Sequence, residues 1–156
     1  MAGIVEPISI TNPSVINSDP EFLDNDIFNK KIKKCYSCNP RGTLKEHIIS
    51  STDDFVFNHD MFRRPLIIIT TKQHYHTIYD FPDHLKIKLF DDIRLFVDFW
   101  NLNKNYQLMI NNGNSQTHHH FHIKMKIDEA VANRMRRDHF TRITLEKNYT
   151  PADSIN

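Results

Sequence analysis

Ser115-Gln116-Thr117-His118-His119-His120-Phe121-His122-Ile123-Lys124-Met125-Lys126 is the stretch around which the chain is organised; four of its ten histidines fall here. In a strand, side chains alternate between two faces. His118, His120 and His122 then share one face, continued by Lys124 and Lys126. Phe121, Ile123, Met125 and Ile127 share the other, which is apolar enough to lie on a core. His119 begins the apolar row and is the least suited of the four to chemistry.

A row of imidazoles followed by two ammoniums suits two chemistries. Neutral imidazole is the commonest metal ligand. A histidine can also attack phosphorus while its neighbours hold phosphate oxygens. The plain alternative is a solvated sheet face rich in histidine.

The rest of the chain bounds these readings. Its 156 residues suffice for one domain with a true core. A net charge of +1 gives no global drive toward nucleic acid. The N-terminus lacks the basic flank and apolar run of a secretory signal, and no apolar run reaches membrane-span length. A cytoplasmic or nuclear protein is expected, not a secreted one. Two cysteines are too few for a disulfide scaffold.

Residues 1–20 read as an irregular arm punctuated by Pro7, Pro13 and Pro20. A single domain is expected over 21–146, opening with a helix from about Glu21 to Lys34. Cys35-Tyr36-Ser37-Cys38 precedes a turn at Asn39-Pro40-Arg41-Gly42. Two sulfurs do not complete a tetrahedral zinc site, so the pair is read as a zinc knuckle, a redox pair or coincidence. Thr43 to Ser51 and Phe55 to Asn58 read as a hairpin. The β-branched run 65–71 reads as a buried central strand ending in Lys72-Gln73-His74. Asp80 is expected to cap a long amphipathic helix carrying Leu85, Leu89, Ile93, Phe96, Val97 and Trp100. Phe90, Phe96, Phe99 and Trp100 fit core or dimer contacts. Tyr106 to Ile110 reads as a strand, and the Asn111-Asn112-Gly113-Asn114 turn hands the chain to the histidine stretch. Asp128 to Asp138 reads as a helix, Phe140 to Leu145 as a strand, and 147–156 as a tail.

In this order, the segments resemble the histidine-triad (HIT) superfamily: a CxxC, a hairpin, an apolar strand running into Lys-x-His, a long helix, a strand, an Asn-x-Gly turn, and a serine before His-x-His-x-His. The resemblance covers about residues 35–127. It implies an α+β fold with an antiparallel sheet of about five strands, one long packed helix and extra terminal helices. It implies hydrolysis or transfer at the α-phosphate of a nucleotide, with His120 as the nucleophile, His122 on the phosphate and Ser115 helping the leaving group. Asn112, Gly113 and Asn114 would cradle phosphate oxygens, with Arg63 and Arg64 as further phosphate contacts and Asp60 on the ribose. In zinc-containing branches, the corresponding metal ligands are Cys35, Cys38, His74 and His118, with His76 as a substitute for His74. The zinc would be structural. The substrate class includes nucleoside phosphoramidates and dinucleoside polyphosphates, and a homodimer through the long helix fits the family. The chain departs from the family's pattern at Leu66, where many members carry a histidine. Two other functions compete: a zinc-stabilised nucleotide- or RNA-binding protein with weak or no catalysis, and a metal-dependent enzyme using His118, His120 and His122 as ligands.

Overall fold

The computed structural model describes residues 35–40, 43–103, 105–116 and 118–148. The expected N-terminal arm, the helix expected up to Lys34, the turn residues Arg41 and Gly42 and the chain beyond residue 148 lie outside them.

Five strands form one antiparallel sheet: β1 (Ile48–Ser51), β2 (Phe55–His59), β3 (Leu66–Thr71), β4 (Tyr106–Ile110) and β5 (His122–Ile127). Their spatial order is β1-β2-β3-β5-β4. The β3 run is central because its β-branched residues fit a pleated sheet surface; Ile67 and Ile69 are fully buried against the core. In β2 the alternation places Phe55, Phe57 and His59 inward. Phe57 stacks on Phe96 with ring centroids 4.4 Å apart, and burying such a ring contributes about 1.5–3 kcal/mol.

Among the described residues there are three α-helices: α1 (Thr43–Glu46), α2 (Asp83–Phe99) and α3 (Glu129–Asn148). The buried residues of α2 are Leu85, Leu89, Asp92, Ile93, Phe96 and Val97, one stripe at helical spacing. Asp92 is buried but paired, accepting from Thr52 Oγ1 at 2.6 Å and from Lys88 Nζ at 3.3 Å. This ties the β1–β2 turn to the helix. The helix ends because Asn101 takes a left-handed conformation (φ 56°). The amides of Asn101 and Leu102 then close on Asp98 and Val97, the usual double closure at a helix end.

Five local expectations are corrected. Thr43–Glu46 is a helical turn, not strand: Leu, Lys and Glu favour helix, and β1 begins only at Ile48. Asp80 does not cap α2. It closes a capping box with Thr77 on a 3₁₀ turn, Ile78–Asp80, and Pro82 occupies the N-cap of α2. No strand forms over 140–145, and the tail does not begin at 147. Instead, α3 runs on to Asn148, its buried Ala132, Met135, Arg136 and His139 recurring every three or four residues. Lastly, β5 begins at His122 and not within 115–118. From there the expected alternation holds: Ile123, Met125 and Ile127 face the core, while Lys124 is half-buried and Lys126 exposed on the other side.

Candidate metal centre and active site

The β5 ladder starts at the pair Thr70↔His122. Before it, residues 118–121 are irregular, pinned by the amide of Phe121 donating to the carbonyl of Tyr75 at 2.6 Å. This bend sends successive histidines to different places. His120 is fully buried, His122 nearly so, His118 half-buried and His119 exposed.

Cys35, Cys38, His74 and His120 offer ligand atoms that all lie within 4.8 Å of one another. His120 Nδ1 is 3.4 Å from Cys35 Sγ, 3.3 Å from Cys38 Sγ and 3.1 Å from His74 Nδ1. Cys38 Sγ is 3.1 Å from His74 Nδ1. Zinc–sulfur bonds near 2.3 Å and zinc–nitrogen bonds near 2.05 Å, set tetrahedrally, require edges of about 3.3–3.8 Å. The four distances given lie within about half an ångström of the corresponding edges, so the group fits zinc.

The tautomer of His120 fits as well. Its Nε2 lies 2.7 Å from the Thr71 carbonyl, which can only accept. Nε2 therefore carries the proton and donates, and the Nδ1 lone pair faces the sulfurs, the outer-sphere arrangement usual for ligating histidine. Burial, partly offset by the Thr71 carbonyl, pushes the His120 imidazolium down to about 4. Burial and neighbouring histidines also lower His74. Both rings are thus neutral ligands at pH 7. Burial and Cys35 push the Cys38 thiol up to about 12, so a cation is what would convert it to a thiolate.

His118 is not the fourth member of this group. Its Nε2 is 2.9 Å from Ser37 Oγ and 3.7 Å from Cys35 Sγ, and its ring stacks on Tyr36 at 4.1 Å. His76 is not a substitute for His74; it pairs with exposed His119, Nε2 to Nδ1 at 3.3 Å. The row His118, His120, His122 does not form a three-histidine metal site either, since only His120 enters the metal-competent group found among the described residues.

With both ring nitrogens of His120 engaged, the expected nucleophile has none to present to phosphorus. His122 does. Its Nδ1 lies 3.0 Å from the carbonyl of His120 and must donate, which leaves Nε2 with the lone pair. His122 lines a cavity of about 380 Å³, within the size range of small-ligand sites. The apolar part of its wall includes Val56, Ile68, Met61 and Phe62, with Asn58 and Thr70 as polar groups.

The remaining expected site residues divide. Asp60, Arg64 and His118 line the cavity. Asp60 is occupied: Oδ2 accepts from the amides of Phe62 and Arg64 and from Arg64 Nε, and Oδ1 from an Arg64 terminal nitrogen at 2.7 Å. Burial raises its carboxyl, but the Arg64 bonds outweigh this and hold it below the usual range. Arg63 faces outward with φ 59°, and its carbonyl accepts from Arg136. Asn112, Gly113, Asn114 and Ser115 are exposed, around a 3₁₀ turn, Gly113–Ser115, and do not line the cavity. Gly113 takes φ 61°, which its missing side chain permits. Tyr36, Ser37 and Lys124 also line the cavity. Nothing in the residue pattern marked Tyr36 or Ser37, which enter because they lie between two cysteines that both turn inward. Lys124 was marked by its place in the histidine row.

No family model matches the sequence, and no curated protein does. Solved structures do match the fold. A hypothetical histidine triad nucleotide-binding protein from Sulfolobus tokodaii is 12% identical at a TM-score of 0.53, covering 72% of this chain and 94% of that one. A Zn-bound histidine triad family protein from Mycobacterium smegmatis is 15% identical at 0.51, covering 74% and 99%. A HIT family hydrolase from Legionella pneumophila is 19% identical at 0.50, covering 59% and 90%. Given this likeness and the five-stranded antiparallel sheet with its packed helix, the chain has the histidine-triad fold.

Proposed function

We propose that this protein is a zinc-stabilised nucleotide hydrolase or nucleotidyltransferase acting at the α-phosphate, with His122 as the nucleophile. The observation that carries this reading is the single hydrogen bond from His122 Nδ1 to the His120 carbonyl, on the wall of a nucleotide-sized cavity. The motif is thereby read two residues later than the sequence suggested, as His120-x-His122-x-Lys124. Its first place supplies a metal ligand, its second the nucleophile, and its third a cation.

In the first step His122 Nε2 forms a bond to the α-phosphorus. The bond to the leaving group breaks, and its electron pair departs with that group. Water then attacks phosphorus and releases a proton to solvent, the N–P bond breaks, and Nε2 regains its lone pair. Splitting one displacement into two is the gain of covalent catalysis. The apolar wall from Val56 to Ile68 suits a nucleoside, and Asn58 and Thr70 offer hydrogen bonds beside it. Asp60 and Arg64 serve chiefly to shape the loop that closes this side.

Cys35, Cys38, His74 and His120 would hold the zinc, which supplies a cross-link between the CxxC segment, the end of β3 and the residue before Phe121. The group is closed by four protein ligands, the pattern of a structural site. The exposed apolar side chains of α2, Ile87, Phe90, Leu95 and Phe99, favour a homodimer.

The test is intact-mass analysis after rapid quench with dinucleoside polyphosphates and nucleoside phosphoramidates. Wild type should carry a nucleotidyl adduct that His122→Asn lacks. Product formed equally by His122→Asn would refute the assignment. Tight nucleotide binding without turnover would favour a binding protein instead.

A further inference from the structure

On β5 the residues facing away from the core are His122, Lys124 and Lys126, in that order. Residues two apart on a strand are about 6.6–6.8 Å apart and point the same way. Lys124 lines the cavity beside His122, and Lys126 lies one step further along the open sheet face. Their strand neighbours are uncharged: Ile68 and Met109 flank Lys124, and Leu66 and Gln107 flank Lys126. Neither lysine has an ion-pair partner among the described residues. By contrast, the cavity's other cation, Arg64, is committed to Asp60. Two uncompensated ammoniums thus extend in line from the nucleophile out of the cavity.

We propose that Lys124 and Lys126 form a leaving-group subsite for an oligophosphate chain, so that the preferred substrates are nucleotides carrying further phosphates beyond the α-phosphate. This rests on the reading of His122 as nucleophile. When His122 Nε2 bonds to the α-phosphorus, the bridging P–O bond breaks and its electron pair stays on the oxygen of the departing oligophosphate. That group leaves as an anion and needs compensating charge, not a proton. An ammonium, with three donors and no acceptor, supplies this as a compact point charge. A departing amine, by contrast, must be protonated and gains nothing from a row of cations.

The test has two arms on the purified, zinc-loaded protein. The first measures binding of inorganic tripolyphosphate and of orthophosphate by calorimetry. Wild type and His122→Asn should both bind tripolyphosphate at least about tenfold more tightly than orthophosphate, and Lys124→Gln/Lys126→Gln should lose that margin. The second compares kcat/KM for a dinucleoside tetraphosphate and a phosphoramidate of the same nucleoside. The ratio should favour the tetraphosphate, fall about tenfold in Lys126→Gln, and fall in wild type as salt is raised. An unchanged ratio in Lys126→Gln, or tripolyphosphate binding indifferent to both lysines, overturns the subsite. If His122→Asn keeps full turnover while the lysine effects stand, the nucleophile assignment fails and the anion subsite survives.

Discussion

His59 offers a sharp test of how this core is held. It ends β2, is 2% exposed, and neither ring nitrogen has a hydrogen-bond partner among the described residues. His139 and Arg136 reach it from α3, with the His139 ring 5.2 Å away, and His47 from the corner before β1. Burial first, then these positive neighbours, push the His59 imidazolium from 6.5 down to about 3. Between those values the unfolded chain binds the proton that the folded chain refuses. Stability is therefore full above pH 6.5 and is lost as pH falls toward 3. The linkage integral gives a loss of about 0.2 kcal/mol at pH 7 and about 2 kcal/mol at pH 5. His59→Leu, of similar volume, removes this dependence. It also removes unpartnered buried polar groups, which stabilises by about 1–3 kcal/mol at pH 7. For a chain of this size each kcal/mol moves Tm by about 2–4 °C. Urea unfolding of the zinc-loaded protein at pH 7 and pH 5 measures both effects. Burial also lowers His47, His118 and His120, so the informative quantity is the difference between variant and wild type. A variant that loses as much stability as wild type between the two pH values would refute the reasoning.

Arg136 donates to the carbonyls of Arg63 and Arg64 at 3.0 and 2.9 Å, bracing the loop that carries Asp60. Arg136→Ala should cost about 2–4 kcal/mol and speed hydrogen exchange at the Phe62 and Arg64 amides, which unaltered protection would contradict. Zinc should be present at about one equivalent per chain by elemental analysis. It should be lost in Cys35→Ser and His120→Asn, each with a lowered Tm, but retained in His118→Asn; loss of zinc in His118→Asn would return that residue to the ligand set. Light scattering should show a dimer in wild type and a monomer in Leu95→Asp/Phe99→Asp, whereas a monomeric wild type would remove the role proposed for the exposed apolar side chains of α2.

Much of the architecture was legible because it rests on periodicity. The β-branched run before Thr71, the alternation from Phe121 to Ile127 and the helical recurrence from Leu85 to Val97 each bury one face, and local pattern dictates which. Short segments were harder. Thr43–Glu46 is too short for its helical preference to show as a period, and residues 140–145 carry β-prone residues, so what they adopt depends on contacts distant in the chain. His139 bonding to the Glu46 carbonyl at 2.7 Å is one such contact.

The candidate site divides in the same way. From the sequence by itself came the ingredients: two cysteines, the Lys-x-His after a central strand, and a histidine row followed by lysines. Composition and spacing determine which chemistries are available. The assignment of each histidine was decided only by tertiary structure. A period-two reading treats His118, His120 and His122 as equivalent, yet β5 begins at His122. The bend before it turns His120 into the cysteines and leaves His118 against Tyr36. Where a strand starts depends on its partner, here Thr70 on β3, and on the Phe121 amide finding the Tyr75 carbonyl. Both are long-range hydrogen bonds, and a local pattern carries no record of them.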